Sequence, residues 1–463
     1  MKPLTIEQIV HATGGILNSG DASVEISGIC TDTRKIEKGC LFVPIAGDNY
    51  DGHDFINEAI AGGAIAVLFH KEHFTYDNIV SIKVDNTTVA YGNIAKYYRS
   101  LFQIPVVAIT GSVGKTTTKD MTACAFSGSK TFVKTPANHN NEIGLPTTIF
   151  EIENQDAAIV EMGMRGLGQI EYLSKIAAPT IGIITNIGSS HMELLGSKEN
   201  IFKAKMEICK GMNNHSTLLL NGDDAMLTSD VARDMTKTIK VLYFGTSDIC
   251  TFRAVDIIDA DLCKYKLITP YGEATVKLQV AGTHNIINSL AAIGAALCGG
   301  VAFLDAVRGI EQYGPESIRQ KIIEYNNIKI IDDTYNASPE SMKASLNVLM
   351  HLVGTRKIAV LGNIFELGNF AEKAHRDVGN FISRLGLDFL VTVGNDASYI
   401  ADEAITLDFN TEKIYKCNNT DEATIILRQI IKSGDVVLIK GSRAMKMELI
   451  VAALTDKNGG KYL

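Results

Sequence analysis

The chain has 463 residues, 46% of them hydrophobic and 21% charged, so at roughly 100–200 residues per domain it is long enough for about three folded domains. Lysine and arginine total 44 against 52 aspartates and glutamates, and a net charge of −8 argues against general attraction to nucleic acid or to an anionic membrane. Any phosphate must then be held by a local device. The opening residues MKPLTIEQIVHATGG carry neither the basic nor the apolar region of a signal peptide. The longest stretch without a strongly polar residue, Leu290 to Leu304, is broken by Gly299 and Gly300 and falls short of the roughly 20 residues that span a bilayer. The 8 cysteines include no C-x-x-C pair, which fits reduced packing thiols in a cytoplasm better than a disulfide framework or a zinc site.

In chain order, Thr5 is placed to cap a short helix that ends at Gly14-Gly15, with Gln8 completing a capping box. Apolar runs at Gly28–Cys30, Leu41–Ile45, Ala64–Phe69 and Ile79–Val84 read as strands of a small mixed domain over residues 1–85. A linker helix is expected over 86–103. From Ile104 the pattern becomes apolar strand, glycine-rich turn, helix, repeated in VVAIT, AAIVEMG and TIGIITNIG, which implies a parallel sheet covered on both faces within a central domain, 86–312. Residues 240 to 281 interrupt it with closely spaced strand-like runs, so an antiparallel part is expected there. A Rossmann-like C-terminal domain, 313–463, follows from strands at IKIIDDTY, RKIAVLG, FLVTVG and DVVLIKG. The fold class expected is α/β in three domains.

Gly111-Ser112-Val113-Gly114-Lys115-Thr116-Thr117, between the strand VVAIT and a helix, reads as a phosphate loop. Backbone N–H groups and a helix N-terminus would cradle the phosphates, Lys115 would reach their oxygens and the Thr116 hydroxyl would suit Mg²⁺. The usual spacing puts a glycine at position 109, where this chain has Ile109. Glu161 ends a neighbouring apolar strand and should face the same crevice, although a capping role would explain it equally well in isolation. His191 follows the strand end Thr185–Gly188. Lys205, by spacing alone, is an exposed helix lysine. Asn285 and Asn288 share one face of a helix start, where an N-cap and polar first turn are the plain reading and paired amides for a ligand the other. Ser338 and Pro339 explain the second half of DDTYNASPESM as a helix start, while Asp332 to Asn336 are suited to sugar hydroxyls at a strand end.

Taken together, TGSVGKTTT, NHNNEIGLPTT, EMG, TNIGSSHMELLGS, AKMEI, GTHNIINSLAA, DDTYNASPESM and KGSRAMKME occur in the order seen in the Mur ligases, the ATP-dependent amide-forming enzymes of bacterial peptidoglycan synthesis, and the chain resembles that family along its whole length. NHNNEIGLP and DDTYNASPESM are similar to the branch that joins D-alanyl-D-alanine to UDP-N-acetylmuramoyl-tripeptide. The family's phosphate loop also lacks the first glycine. The resemblance implies an acyl-phosphate mechanism with ATP and Mg²⁺, in which Lys115 and a metal on Thr116 and Glu161 serve phosphoryl transfer. It further implies a second metal on His191 and an N-carboxylated Lys205, and a nucleotide held by Gly111 to Thr117, Asn285, Asn288, Arg319 and Asp333. Asp32, Thr33 and Arg34, with the stretch Gly47 to His53, would bind the uridine-nucleotide end. A monomer with no nucleic-acid partner and no stable membrane insertion is expected. One departure is Asn363, where similar enzymes have Asp, and it is left outside the expected site. Two alternatives are another ligase of the superfamily, disfavoured by the missing Asp-Asn-Pro-Arg run, and a phosphate-loop switch that hydrolyses ATP only to change shape.

Overall fold

The computed structural model describes residues 1–47, 50–70, 79–259, 262–314 and 320–455. Three main sheets follow one another along the chain. The first has five strands in the order Ile16–Ser19, Val80–Lys83, Ala66–Phe69, Cys40–Phe42, Gly28–Cys30, antiparallel at the first pair and parallel thereafter. Its opening helix, Ile6–Thr13, carries the Thr5/Gln8 capping box and ends at Gly14 in the left-handed region, as the sequence predicts.

Helix Thr87–Ser100, capped by Asn86, connects this sheet to the next and packs against helices Ile6–Thr13 and Gly144–Phe150. Arg99 sits almost wholly buried at its end and donates to the carbonyls of Ala177, Phe102 and Ile104.

The central sheet has nine strands. Strand Val106–Thr110 lies between Ala157–Glu161 and Ile181–Ile184, parallel to both, and the chain crosses from one side of it to the other. That reversal opens a crevice at the carboxyl end of Val106–Thr110, where the phosphate loop begins. Ile109 is buried in the strand, opposite both Glu161 and Ile183, so it belongs to the sheet rather than to the turn. The irregular region read at 240 to 281 is the far edge of this same sheet: Phe252–Ile258, Lys264–Thr269 and Gly272–Lys277 pair antiparallel in sequence order. The apolar helix Thr283–Cys298 lies buried against helix Lys115–Ser127, and no helix among the described residues is long and apolar enough to cross a membrane.

The third sheet has six strands, with Ile328–Asp333, Val436–Lys440, Lys357–Gly362, Phe389–Val393 and Ile414–Cys417 parallel and Lys321–Tyr325 antiparallel at one edge. Asp333 and Lys440 are register partners at the carboxyl ends of adjacent strands, so their side chains meet. All eight cysteines are free thiols.

Candidate active site

The phosphate loop is held from outside itself. Asn186 accepts from the N–H of Val113 at 3.0 Å through Oδ1 and from the N–H of Ser112 at 3.1 Å through its carbonyl, while Ser112 Oγ accepts from the N–H of Gly188 at 2.8 Å. A Cβ on Gly111, whose φ is +150, would lie 1.8 Å from Thr185 Oγ1, so only glycine fits there. Lys115 Nζ curls back onto the carbonyls of Gly111 and Ser112 at 2.8 and 3.2 Å.

Below the loop, the Thr116 hydroxyl donates to Glu161 Oε2 at 2.9 Å and Asn140 Nδ2 donates to Oε1 at 2.8 Å. Both Thr116 and Glu161 are buried. Their oxygens are the hard donors Mg²⁺ prefers. No group of three His, Cys, Asp or Glu side chains converges as a ready cage among the described residues, so an ion here would complete its coordination with phosphate oxygens and water, as Mg²⁺ at nucleotide sites does.

A cavity of about 570 Å³ opens above the loop. Its wall includes Ser112, Val113, Gly114, Lys115 and Thr117 from the loop, and Asn285 and Asn288 from the apolar helix. The third sheet contributes Asp333. Thr118 Oγ1 donates to Asn288 Oδ1 at 3.3 Å and Asn285 Nδ2 donates to the carbonyl of Ala281 at 2.8 Å. Asp333 Oδ2 accepts from Lys440 Nζ at 2.5 Å and from Ser345 Oγ at 2.6 Å. Lys440 also faces the cavity. Its motif, KGSRAMKME, is visible in the sequence, but its pairing with Asp333 is not.

His191 stands beside this centre with its Nδ1 2.6 Å from Glu366 Oε2. Burial pushes its proton affinity down, the Lys115 and Lys205 charges push the same way and the Glu366 carboxylate opposes them. Lys205 departs from the reading of an exposed helix lysine: it is 1% exposed, on helix Lys198–Met206. Burial, and secondarily the Lys115 charge, hold its ammonium pKa well below the usual lysine range. A lysine that gives up its proton readily in a buried site is primed for reaction at nitrogen.

Other expected residues fall elsewhere. Thr33 and Arg34 lie in the short 3-10 turn Thr33–Lys35, which Asp32 caps, in the part of the chain that carries the first sheet and away from the cavity wall. Asp32 and Arg34 pair with each other at 2.8 Å, which holds the Asp32 carboxyl at about 2. Gly47 is exposed. His53 has a buried ring with Nδ1 2.6 Å from Asp51 Oδ1 and Nε2 accepting from the N–H of His70, so it braces its loop from inside rather than presenting an open ring. Arg319, and residues 48–49 within the Gly47 to His53 stretch, lie outside the described residues. Asn363 accepts from the N–H of Ala397 at 2.8 Å and so ties down a neighbouring turn. Asn140, Asn186, Glu340 and Glu366 are contacts that the sequence does not single out.

A phosphate loop at a switch point, a polar cavity shared with a second α/β unit, and buried oxygen donors beneath the loop define a nucleotide-using α/β enzyme. Three family models match in succession: Mur ligase family catalytic domain over 25–104, Mur ligase middle domain over 109–296, and Mur ligase glutamate ligase domain over 318–443. The chain belongs to the Mur ligase family. A UDP-N-acetylmuramoyl-tripeptide–D-alanyl-D-alanine ligase of a Synechocystis species is 36% identical over 441 residues, covering 94% of this chain and 93% of that protein. The crystal structure of MurF from Acinetobacter baumannii matches with a TM-score of 0.91 at 32% identity, covering 99% of this chain and 100% of that one. A MurF ligase structure from Thermotoga maritima, in complex with ADP, matches with a TM-score of 0.82 at 27% identity over 93% of this chain and 97% of that one.

Proposed function

We propose that the protein joins D-alanyl-D-alanine to UDP-N-acetylmuramoyl-tripeptide at the expense of ATP, giving UDP-N-acetylmuramoyl-pentapeptide, ADP and phosphate. The observation that carries this reading is the single cavity in which the phosphate loop, Asn285, Asn288 and Asp333 come together on a chain collinear with such ligases.

A carboxylate resists attack by an amine, so it must first gain a leaving group. The tripeptide carboxylate attacks the γ-phosphorus of ATP, the bond to the β-phosphate oxygen breaks, and ADP leaves an acyl phosphate behind. The dipeptide amine, once deprotonated, then attacks the acyl carbon, and the tetrahedral adduct expels phosphate to leave the amide. Lys115 and the loop N–H groups balance charge on the phosphoryl group in flight, with Lys115 swinging from its present carbonyl partners onto phosphate oxygens. Mg²⁺ held by Thr116 and Glu161 would neutralise phosphate charge. A second ion would be served by His191 and by Lys205 as its carbamate, which replaces a cation with hard oxygen donors. Asp333 and Arg319 would act on the nucleotide, and the Asp32–Arg34 turn with Gly47 and its neighbours on the uridine end. Water would destroy the acyl phosphate, so seating of the C-terminal sheet over the centre protects it.

The division into substrate, ATPase and C-terminal units at about residues 85 and 312 belongs to this reading, as do a cytoplasmic setting and a monomeric enzyme. Release of ADP and formation of the pentapeptide nucleotide should require both substrates together. ADP release that ignores them would favour a phosphate-loop switch instead.

A further inference from the structure

Helix Pro339–His351 of the C-terminal segment meets the cavity and the phosphate loop with different side chains. Ser341, Ala344, Ser345 and Val348 line the cavity, whereas Glu340, in the first turn, reaches the loop that follows strand Ile181–Ile184. Glu340 Oε1 accepts from the N–H and the hydroxyl of Ser189 at 2.9 and 2.7 Å. The helix start does not need this carboxylate: Ser338 Oγ accepts from the N–H of Ser341, Ser341 Oγ accepts from the N–H of Ser338, and Pro339 takes the first helical position. The other carboxylate oxygen, Oε2, is buried and has no hydrogen-bond partner among the described residues. Stripping that oxygen of water without a donor in return offsets part of what the Ser189 bonds gain, which suits a contact made and broken in each turnover.

Ser189 is flanked by two contacts to the phosphate loop. The N–H of Gly188 donates to Ser112 Oγ at 2.8 Å, and a Cβ on Gly188 would stand 3.0 Å from Glu340 Cδ and 3.1 Å from Ser112 Cβ. The backbone at Gly188 is therefore clamped between the Glu340 carboxyl group and the serine of the phosphate loop, an approach that the missing side chain permits. On the other side of Ser189, the Ser190 hydroxyl donates to the Ser112 carbonyl at 3.4 Å. That carbonyl is one of the two that accept from Lys115 Nζ, and Ser112 itself lines the cavity. Direct contacts thus run from Glu340 through one short loop to the residue that shapes the phosphate site.

We propose that Glu340 is a positioning residue for phosphoryl transfer, whose grip on Ser189 sets Gly188 and Ser190 against Ser112 and so fixes the phosphate loop in its working shape while the third sheet is docked. The proposal rests on the ligase reading above. Phosphoryl transfer depends on placement more than on covalent chemistry by the protein, so a loop that loses its outside support keeps its charge yet loses rate. An acidic residue in a helix first turn also favours the macrodipole, but that plain role makes no demand on Ser189.

The test uses the full-length enzyme, read by ligation kinetics and by amide hydrogen exchange with a non-hydrolysable ATP analogue bound. In Glu340→Ala we expect kcat to fall by about tenfold or more, with KM for the uridine nucleotide substrate and the dipeptide within about twofold and the ligand-free thermal midpoint unchanged. Exchange should quicken in the segment 186–193 and not in the strands of the third sheet. Glu340→Gln keeps an acceptor oxygen and should recover part of the loss. Ser189→Ala should lose less than Glu340→Ala, and adding it to Glu340→Ala should cost nothing further, because both remove one contact. An unchanged kcat or unchanged exchange in Glu340→Ala overturns the proposal, as do fully additive losses in the double variant, which would leave Glu340 to its helix. Quickened exchange throughout the third sheet with a lower midpoint overturns it too, by making Glu340 a structural contact. Failure of the wild-type enzyme to form the amide would overturn the ligase reading, whereas the exchange measurement reads the grip on Ser189 without ligation.

Discussion

Lys115 and Lys205 are two lysines whose surroundings give them opposite work. Lys115 lines the cavity and donates to the carbonyls of Gly111 and Ser112, so it sits where phosphate would bind and supports little of the core. Lys115→Ala should therefore fold normally and lose a charge-assisted contact worth about 1.5–3 kcal/mol before any transition-state effect, a fall in kcat/KM of at least about tenfold. Near-normal ligation by a folded variant would remove the loop from the mechanism. Lys205 instead costs stability, because an ammonium with no carboxylate paired to it among the described residues is buried. In the unfolded chain it is protonated up to the usual value near ~10.4, whereas in the fold it is neutral well below that. The unfolded state thus binds more protons, wild-type stability rises with pH, and the penalty shrinks as the medium becomes alkaline. Lys205→Met should raise the denaturation midpoint near neutral pH, with a gain that dwindles towards about pH 10, and should cut ligation by about a hundredfold or more. Lys205→Ala should regain part of its activity with short-chain carboxylates, which can occupy the position a carbamate would fill. Ordinary activity in Lys205→Ala would return the residue to a packing role.

At the scale of elements, the junction between the first two sheets hangs on one helix end. Arg99 donates to three carbonyls, of Ala177 and of Phe102 and Ile104 just beyond its own helix, at 3.0, 2.7 and 3.3 Å, with burial lowering its own pKa. Arg99→Met should cost about 2–3 kcal/mol in urea denaturation, because a buried acceptor left alone loses about 1–3 kcal/mol while removal of the buried cation returns part of that. Nucleotide affinity should stay within about twofold, since Arg99 is remote from the cavity wall. The same scale explains what a reader of the sequence can and cannot see. Strands such as Val106–Thr110 and Val436–Lys440 are buried on both faces and therefore announce themselves as unbroken apolar runs. Lys321–Tyr325 and Ile414–Cys417 lie on sheet edges with exposed charged positions, and their short mixed runs carry no such signal. The phosphate loop is legible because its chemistry is contiguous. Asn140 on Glu161, Asn186 on the loop and Glu366 on His191 depend on loops meeting in space, and helical spacing cannot reveal that Lys205 faces inward, because the periodicity of a nine-residue helix does not say what packs around it.

For the whole molecule, the decisive fact is that the cavity has one wall on the central sheet and another on the third. A ligand that touches both walls stabilises their docking by mass action, about 2.7 kcal/mol at a hundred times its dissociation constant. A non-hydrolysable ATP analogue should then raise the thermal midpoint of the wild-type protein. Testing the C-terminal wall through Asp333→Ala alone would confuse binding with folding, since Asp333 neutralises the buried Lys440 at 2.5 Å and a stranded ammonium of that kind costs about 3–5 kcal/mol. Asp333→Asn combined with Lys440→Met removes both charges together and keeps the volume of the pair. In that double variant the midpoint without ligand should stay near the wild-type value and the shift produced by the ATP analogue should shrink. The shift produced by the uridine nucleotide substrate, which the proposed reading anchors through the first sheet's domain, should persist. An undiminished ATP-analogue shift would mean that the nucleotide is held by the central sheet alone and that the third sheet closes over it without gripping it.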